Sequence, residues 1–110
     1  MSERRGKYNA KKTEVDGRVF DSRAEARRYS ELCLLEKANE LFNLECQPKF
    51  DIKVNGQHIC NYIADFKYGI FNGENIDWII EDVKGVKTPV YRLKKKLVEA
   101  AYNITITEIA

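Results

Sequence analysis

The hydrophobic pattern changes period several times along the chain, and each change marks an element. Thr13 to Phe20 holds two short β-prone runs around Asp16-Gly17, which predicts a hairpin. Ser22-Arg23-Ala24-Glu25 is a capping-box pattern that opens a helix to about Lys37. Ala26, Tyr29, Leu32, Cys33 and Leu35 supply its expected buried stripe. Strand-forming residues run from Leu44 to Val54, where Pro48 predicts an edge or a bend. Asn55-Gly56 predicts a tight turn into a second strand, Gln57 to Tyr68. Gly69 to Asn75 reads as a loop and Asp77 to Lys84 as a third strand. Thr88-Pro89 has the cap-then-first-position order of a second helix, with Val90, Leu93, Leu97 and Ala100 or Ala101 as its expected apolar side and Asn103 as its C-cap. Ile104 to Ile109 alternates and closes the chain as a strand. The order after the hairpin is αβββαβ. It implies a single α/β domain over 13–110, with a central mixed sheet flanked by helices.

Composition narrows the chemistry. The chain has 110 residues, enough for one modest core. No apolar run reaches the roughly 20 residues that a membrane helix needs, and Met1 to Asn9 holds no apolar secretory region. The expected location is the cytoplasm, with no membrane partner. Cys33, Cys46 and Cys60 are odd in number and lack CxxC spacing, so they read as buried reduced thiols rather than zinc ligands or disulfides. The single histidine, His58, argues against histidine-rich metal sites and Ser-His-Asp hydrolysis, and reads as an ordinary hairpin residue. Nothing in the sequence calls for a small-molecule cofactor. The net charge is only +2, but Lys84 to Lys96 carries six Lys/Arg and no acid. Residues 1–12 form a second basic stretch, expected as a flexible arm that could order on DNA. A basic surface beside carboxylates suits a polyanionic substrate cut with a cation's help.

The candidate chemistry lies where two strands end. Asp65 interrupts the apolar run Tyr62-Ile63-Ala64-Asp65-Phe66. Asp82 and Lys84 follow Trp78-Ile79-Ile80 and share one strand face, with Val83 and Glu81 on the other. Two carboxylates and an ammonium at one spot can hold Mg²⁺, with Mn²⁺ as a substitute, and activate water against a phosphodiester. Val83 can add its carbonyl to the metal. Glu25 shares the inward stripe of Tyr29 and Leu32, so it has a capping role and a catalytic or metal role open to it. Gln47 can orient water or touch the sugar-phosphate backbone, or simply sit exposed. Lys94 borders the helix's apolar side and leans towards the site. Lys87, Arg92, Lys95 and Lys96 would contact phosphates, while Tyr91 either meets DNA or packs.

Asp65…Asp82-Val83-Lys84, with sixteen residues between the acids, resembles the PD-(D/E)XK nuclease pattern, with Ala64 in place of the proline. The spacing alone is a weak motif, and the flanking elements make it more specific. The element order is similar to that superfamily's restriction-endonuclease-like core, and Glu25 matches the additional acid of many members. Lys7-Tyr8-Asn9, Phe20-Asp21-Ser22, Glu25-Ala26-Arg27-Arg28-Tyr29, Gln47-Pro48, Glu81-Asp82-Val83-Lys84-Gly85 and Thr88…Tyr91-Arg92-Leu93-Lys94 extend the likeness over nearly the whole chain. They resemble a family of small phage and prophage proteins catalogued as of unknown function and grouped with these nucleases. That family is similar in layout to the endonuclease subunit of Tn7-type transposition and to phage junction-resolving enzymes.

The resemblance implies Mg²⁺-dependent DNA cleavage leaving a 5′-phosphate, in phage recombination or replication inside a bacterial host cell. Glu25, Asp65, Asp82 and Lys84 would be catalytic, with Asp65, Asp82, Val83 and Glu25 at the metal. A chain this small has little room for a sequence-reading module, so branched DNA such as a Holliday junction is the preferred substrate, ahead of plain duplex. Paired cuts imply a homodimer. The alternatives are a non-catalytic nucleic-acid-binding or assembly module on the same fold, and an RNA-directed nuclease.

Overall fold

The computed structural model describes residues 12–110; the expected basic arm falls outside the described residues except for Lys12. Its elements are β1 (Thr13–Val15), β2 (Arg18–Phe20), α1 (Arg23–Lys37), β3 (Phe42–Cys46), β4 (Lys49–Val54), β5 (Gln57–Ile63), β6 (Phe66–Phe71), β7 (Ile76–Val83), α2 (Pro89–Tyr102) and β8 (Ile106–Ile109). Among the described residues the class is α/β, with a mixed sheet and two helices.

Local chemistry sets most boundaries. Asp16-Gly17 and Asn55-Gly56 turn the β1–β2 and β4–β5 hairpins with both central residues at positive φ, the turn geometry that matches strand twist. The Ser22 hydroxyl accepts the Glu25 amide at 3.1 Å to open α1. Thr88 accepts the Tyr91 amide in the same way to open α2, with Pro89 at the first position. Asn103 ends α2 at φ 53°.

The central sheet has the order β3-β6-β7-β8. β3, β6 and β7 are antiparallel, and β7 pairs with β8 in parallel through the α2 crossover. Side-chain alternation divides the core in two. Phe66 and Tyr68 pack with Phe20, Tyr29 and Leu32 under α1. Ala64, Ile80 and Ile106 pack with Ile52, Tyr62 and Val98 beneath α2 and the β4–β5 hairpin. Among the described residues no helix is long and apolar enough to cross a membrane.

Several expectations need correction. The runs from Leu44 to Val54 and from Gln57 to Tyr68 are not single strands; each breaks and changes sheet at the same corner. There the Gln47 amide donates to the Asp65 carbonyl at 2.8 Å, and the Ala64 amide to the Pro48 carbonyl at 3.0 Å. The expected Gly69–Asn75 loop shrinks to 72–75, because β6 runs on through Phe71 and the Asn72 side chain accepts the Glu74 and Asn75 amides. The expected apolar side of α2 is also wrong in part. Val90 and Leu93 are 63% and 60% exposed, and Ala100 and Ala101 face water. Val98 is buried, while Tyr91, Lys94, Lys95 and Leu97 are half-buried. Lysine stems cover apolar surface while their ammoniums reach water, so the inward face does not read as apolar. Leu35 likewise lies outside the α1 stripe, and the three thiols are free but half-buried.

Gly69 lies between Phe42 and Trp78 on the neighbouring strands. A Cβ there would stand 2.8 Å from Phe42 Cζ and 3.0 Å from Trp78 Cζ3. Gly69→Ala is expected to lower the urea midpoint by the equivalent of about 1–3 kcal/mol; an unchanged midpoint would mean the rings swing aside freely.

Candidate active site

The corner that splits both long strands also fixes Asp65. Its amide donates to the Glu81 carbonyl at 3.0 Å, its carbonyl accepts the Gln47 amide, and its Oδ2 accepts the Val83 amide at 2.7 Å. Gln47 is held at φ 56°, an uncommon conformation for a side-chain-bearing residue, and is exposed beside Asp65. Val83 therefore serves Asp65 through its amide, a role separate from the one expected of its carbonyl at a metal.

Alternation along β7 separates the two neighbouring acids. Glu81 turns to the α1 face, where Arg28 grips it through Nε at 2.9 Å and Nη2 at 2.7 Å, and the Tyr68 hydroxyl also donates to it. Asp82 turns to the α2 face together with Lys84, whose Nζ lies 3.9 Å from Asp82 Oδ1. Asp82 is 0% exposed, and neither oxygen meets a donor in hydrogen-bond geometry among the described residues. Burial raises its pKa to about 6, with the Lys84 ammonium pulling the other way. Lys84 also stands 4.8 Å above the Tyr91 ring.

Glu25 reaches Asp65 from the α1 side. Burial, then the charges of Asp65 and Asp21, raise its pKa to about 7, and burial also raises that of Asp65. Two carboxyls facing each other this closely need a proton or a cation between them. One oxygen of Glu25 is buried without a partner. Asp21, Ser22, Glu25, Asp65, Lys84 and Thr88 are among the residues lining a cleft of about 410 Å³.

The structure brings Asp65, Asp82 and Lys84 to one sheet end and links Glu25 to them through Asp65. It does not gather the three acids into one cage: among the described residues no group of three His, Cys, Asp or Glu side chains is arranged around a common point. The basic candidates divide. Lys94 donates to the Asn61 carbonyl at 3.1 Å and lines a second cleft with Lys84 and Tyr91. Lys87, Arg92, Lys95 and Lys96 line a third cleft with Glu99 of α2 and Glu108 of β8. There Lys87 and Lys95 lie 3.1 and 3.6 Å from Glu108, so part of that charge is already paired. Tyr91 donates to Glu108 at 2.8 Å, and this bond and burial raise its phenol's pKa. Sequence reading missed Asp21, Thr88 and Glu108 here. Asp21 precedes the α1 cap and Thr88 is the α2 cap, so both carried a signal; Glu108 reaches Tyr91 only through the β7–β8 pairing.

A family model matches residues 5–109, described as a protein of unknown function, DUF1064. The chain belongs to the DUF1064 family. No curated protein and no solved structure matches it. The family match includes every residue of the corner, the β7 acids and the basic helix.

Proposed function

We propose that this DUF1064 member is a metal-dependent endodeoxyribonuclease of the PD-(D/E)XK type, built on a restriction-endonuclease-like core. The observation that carries the reading is Asp82, fully buried with no hydrogen bond to either oxygen and only the Lys84 ammonium, 3.9 Å away, as counter-charge, at the sheet end it shares with Asp65. A buried carboxylate left so is costly unless a cation or proton meets it. The all-oxygen donor set suits a hard divalent ion. Asp65 and Asp82 would hold Mg²⁺ or Mn²⁺ with the Val83 carbonyl, and Glu25 would act on the ion through water. Bound there, the ion supplies Lewis acidity towards a phosphoryl oxygen and acidifies water.

The chain's own groups divide the remaining work. Three backbone hydrogen bonds hold Asp65 in place against its acidic neighbours. Lys84 brings positive charge to the cleft, where it would stabilise a developing phosphorane, and the Tyr91 ring limits its motion. Gln47 and Lys94 would position the sugar-phosphate backbone. Arg28 and Tyr68 keep Glu81 out of the chemistry. The preferred substrate is branched DNA, cut by a homodimer to leave 5′-phosphates, in a phage-encoded setting in the host cytoplasm.

The test is cleavage of labelled four-way junction, duplex and single-stranded DNA in Mg²⁺. Symmetric nicks confined to the junction are the expected result. Lys84→Ala is expected to slow cleavage about 10²–10³-fold, with junction affinity within a few-fold of the parent. Loss of affinity equal to the loss of rate would make Lys84 a binding residue instead. That no three acids among the described residues form one metal-holding group favours a second reading, a nucleic-acid-binding module that keeps the fold without cutting. It predicts junction binding that survives EDTA and no cleavage in any divalent metal.

A further inference from the structure

The second cleft, about 330 Å³, adjoins the catalytic cleft and shares Lys84 and Thr88 with it. Its walls differ from those of the other two clefts. The catalytic cleft is lined by Asp21, Glu25 and Asp65, and the cleft farther along α2 by Glu99 and Glu108, but no carboxylate lines this one. Lys84 and Lys94 both line it, the first with Asp82 3.9 Å away behind the wall and the second donating to the Asn61 carbonyl, and no acid stands on the wall itself. Tyr62 forms part of the wall; it is 3% exposed, and its hydroxyl has no partner among the described residues. Ile63 and Val90 line the same cleft and are more than half exposed, with Leu93 one turn beyond Val90 on α2.

This combination recognises a small group that is anionic at one end and flat and apolar at the other. A duplex end does not fit a space at the small limit of ligand pockets. We propose that the cleft is a subsite for one unpaired nucleotide of DNA, its phosphate between Lys84 and Lys94 and its base against Val90 and Ile63. An orphaned buried hydroxyl is a standing cost in the free protein, and a ligand oxygen that reaches it through a small shift of the wall would remove that cost. The inference rests on the nuclease reading for the choice of DNA, and it turns a preference for branched substrate into a property of named residues. Unpaired nucleotides at a branch point would enter this subsite and lead the adjoining phosphodiester to Lys84.

The test uses the full chain in EDTA, so that no cleavage is needed. The probes are a duplex with one unpaired 2-aminopurine and the fully paired duplex of the same sequence. The wild type is expected to bind the unpaired probe about tenfold more tightly, with a change in 2-aminopurine emission. A tenfold preference corresponds to about 1.4 kcal/mol, the burial of roughly 55 Å² of apolar surface on the base and the two side chains. Val90→Glu is tolerated by the fold because Val90 is exposed in the first turn of α2, where an acid is favourable. It should erase most of the preference while changing paired-probe affinity much less. Tyr62→Phe should raise the free protein's melting temperature and yet weaken the unpaired probe several-fold, a pairing that a structural hydroxyl would not give. Equal binding of the two probes, no binding of either, or variants that weaken both equally would overturn the proposal. A cleavage assay in Mg²⁺ is run beside it. Preference without cutting would sink the nuclease reading and leave the subsite standing, and cutting without preference would do the reverse.

Discussion

Asp82→Asn is expected to abolish cleavage and, in the same preparation, to make the metal-free protein more stable above pH 7. The carboxyl is fully buried with no donor, and its pKa rises to about 6. In the unfolded chain it ionises near pH 4. Between those values the native state holds a proton that the unfolded state has released, so stability falls as pH rises through the window. The loss is complete above pH 6 and amounts to roughly 3 kcal/mol, from about two units at 1.36 kcal/mol each. Glu25 adds a fall in the same direction, over a window that ends near its value of about 7. An asparagine amide carries no charge but leaves its own groups unpaired. The net gain at pH 8 is therefore put at about 1–2 kcal/mol, with little difference at pH 4. Urea unfolding in EDTA at the two pH values measures it. Adding Mg²⁺ should then stabilise the wild type and leave the variant unmoved, because only the former holds the ion in its native state. A variant less stable than wild type at pH 8 would mean that the native protein already satisfies the Asp82 carboxylate.

The features that were legible in the sequence are those fixed by neighbours along the chain. Asp16-Gly17, Asn55-Gly56, Ser22 with Glu25, Thr88-Pro89 and Asn103 each determine a local backbone conformation, and each marks an element boundary in the fold. Alternation along β7 likewise separated Glu81 from Asp82, because the side-chain period of a strand needs no tertiary information. The corner was not legible. Pro48 signalled a bend in one strand, but the matching break at Ala64-Asp65 arises from two hydrogen bonds between segments far apart in sequence. The face of α2 was misread because half-buried Lys94 and Lys95 occupy positions that a hydrophobicity pattern assigns to water. The same misreading hid Val90 as an exposed apolar residue beside Lys94. Glu81 was read as the rival acid on the opposite face, but its partner Arg28 lies 53 residues away on α1, and no spacing rule pairs them.

That pair gives the largest expected change in stability. Arg28→Ala should destabilise the fold by about 3–5 kcal/mol, which for a domain of this size lowers the melting temperature by roughly 15 °C or more. Glu81 is 1% exposed at its side chain against 23% for Arg28, so truncating the arginine strands the more deeply buried partner. The Tyr68 hydroxyl remains as a donor but carries no charge to offset. The exposed contact of Arg28 with Glu31 adds little to the loss. Adding Glu81→Gln to Arg28→Ala should recover a large part of the stability, since the cost lies in an uncompensated buried charge rather than in missing volume; a double-mutant cycle by urea unfolding measures the coupling. The functional outcome should be opposite to that of Asp82→Asn. At a temperature where it is folded, Glu81→Gln should cut DNA at close to the wild-type rate, because Glu81 faces α1 and Asp82 faces Lys84. An inactive Glu81→Gln beside an active Asp82→Asn would exchange the roles of the two acids and move the reacting centre to the other face of the sheet.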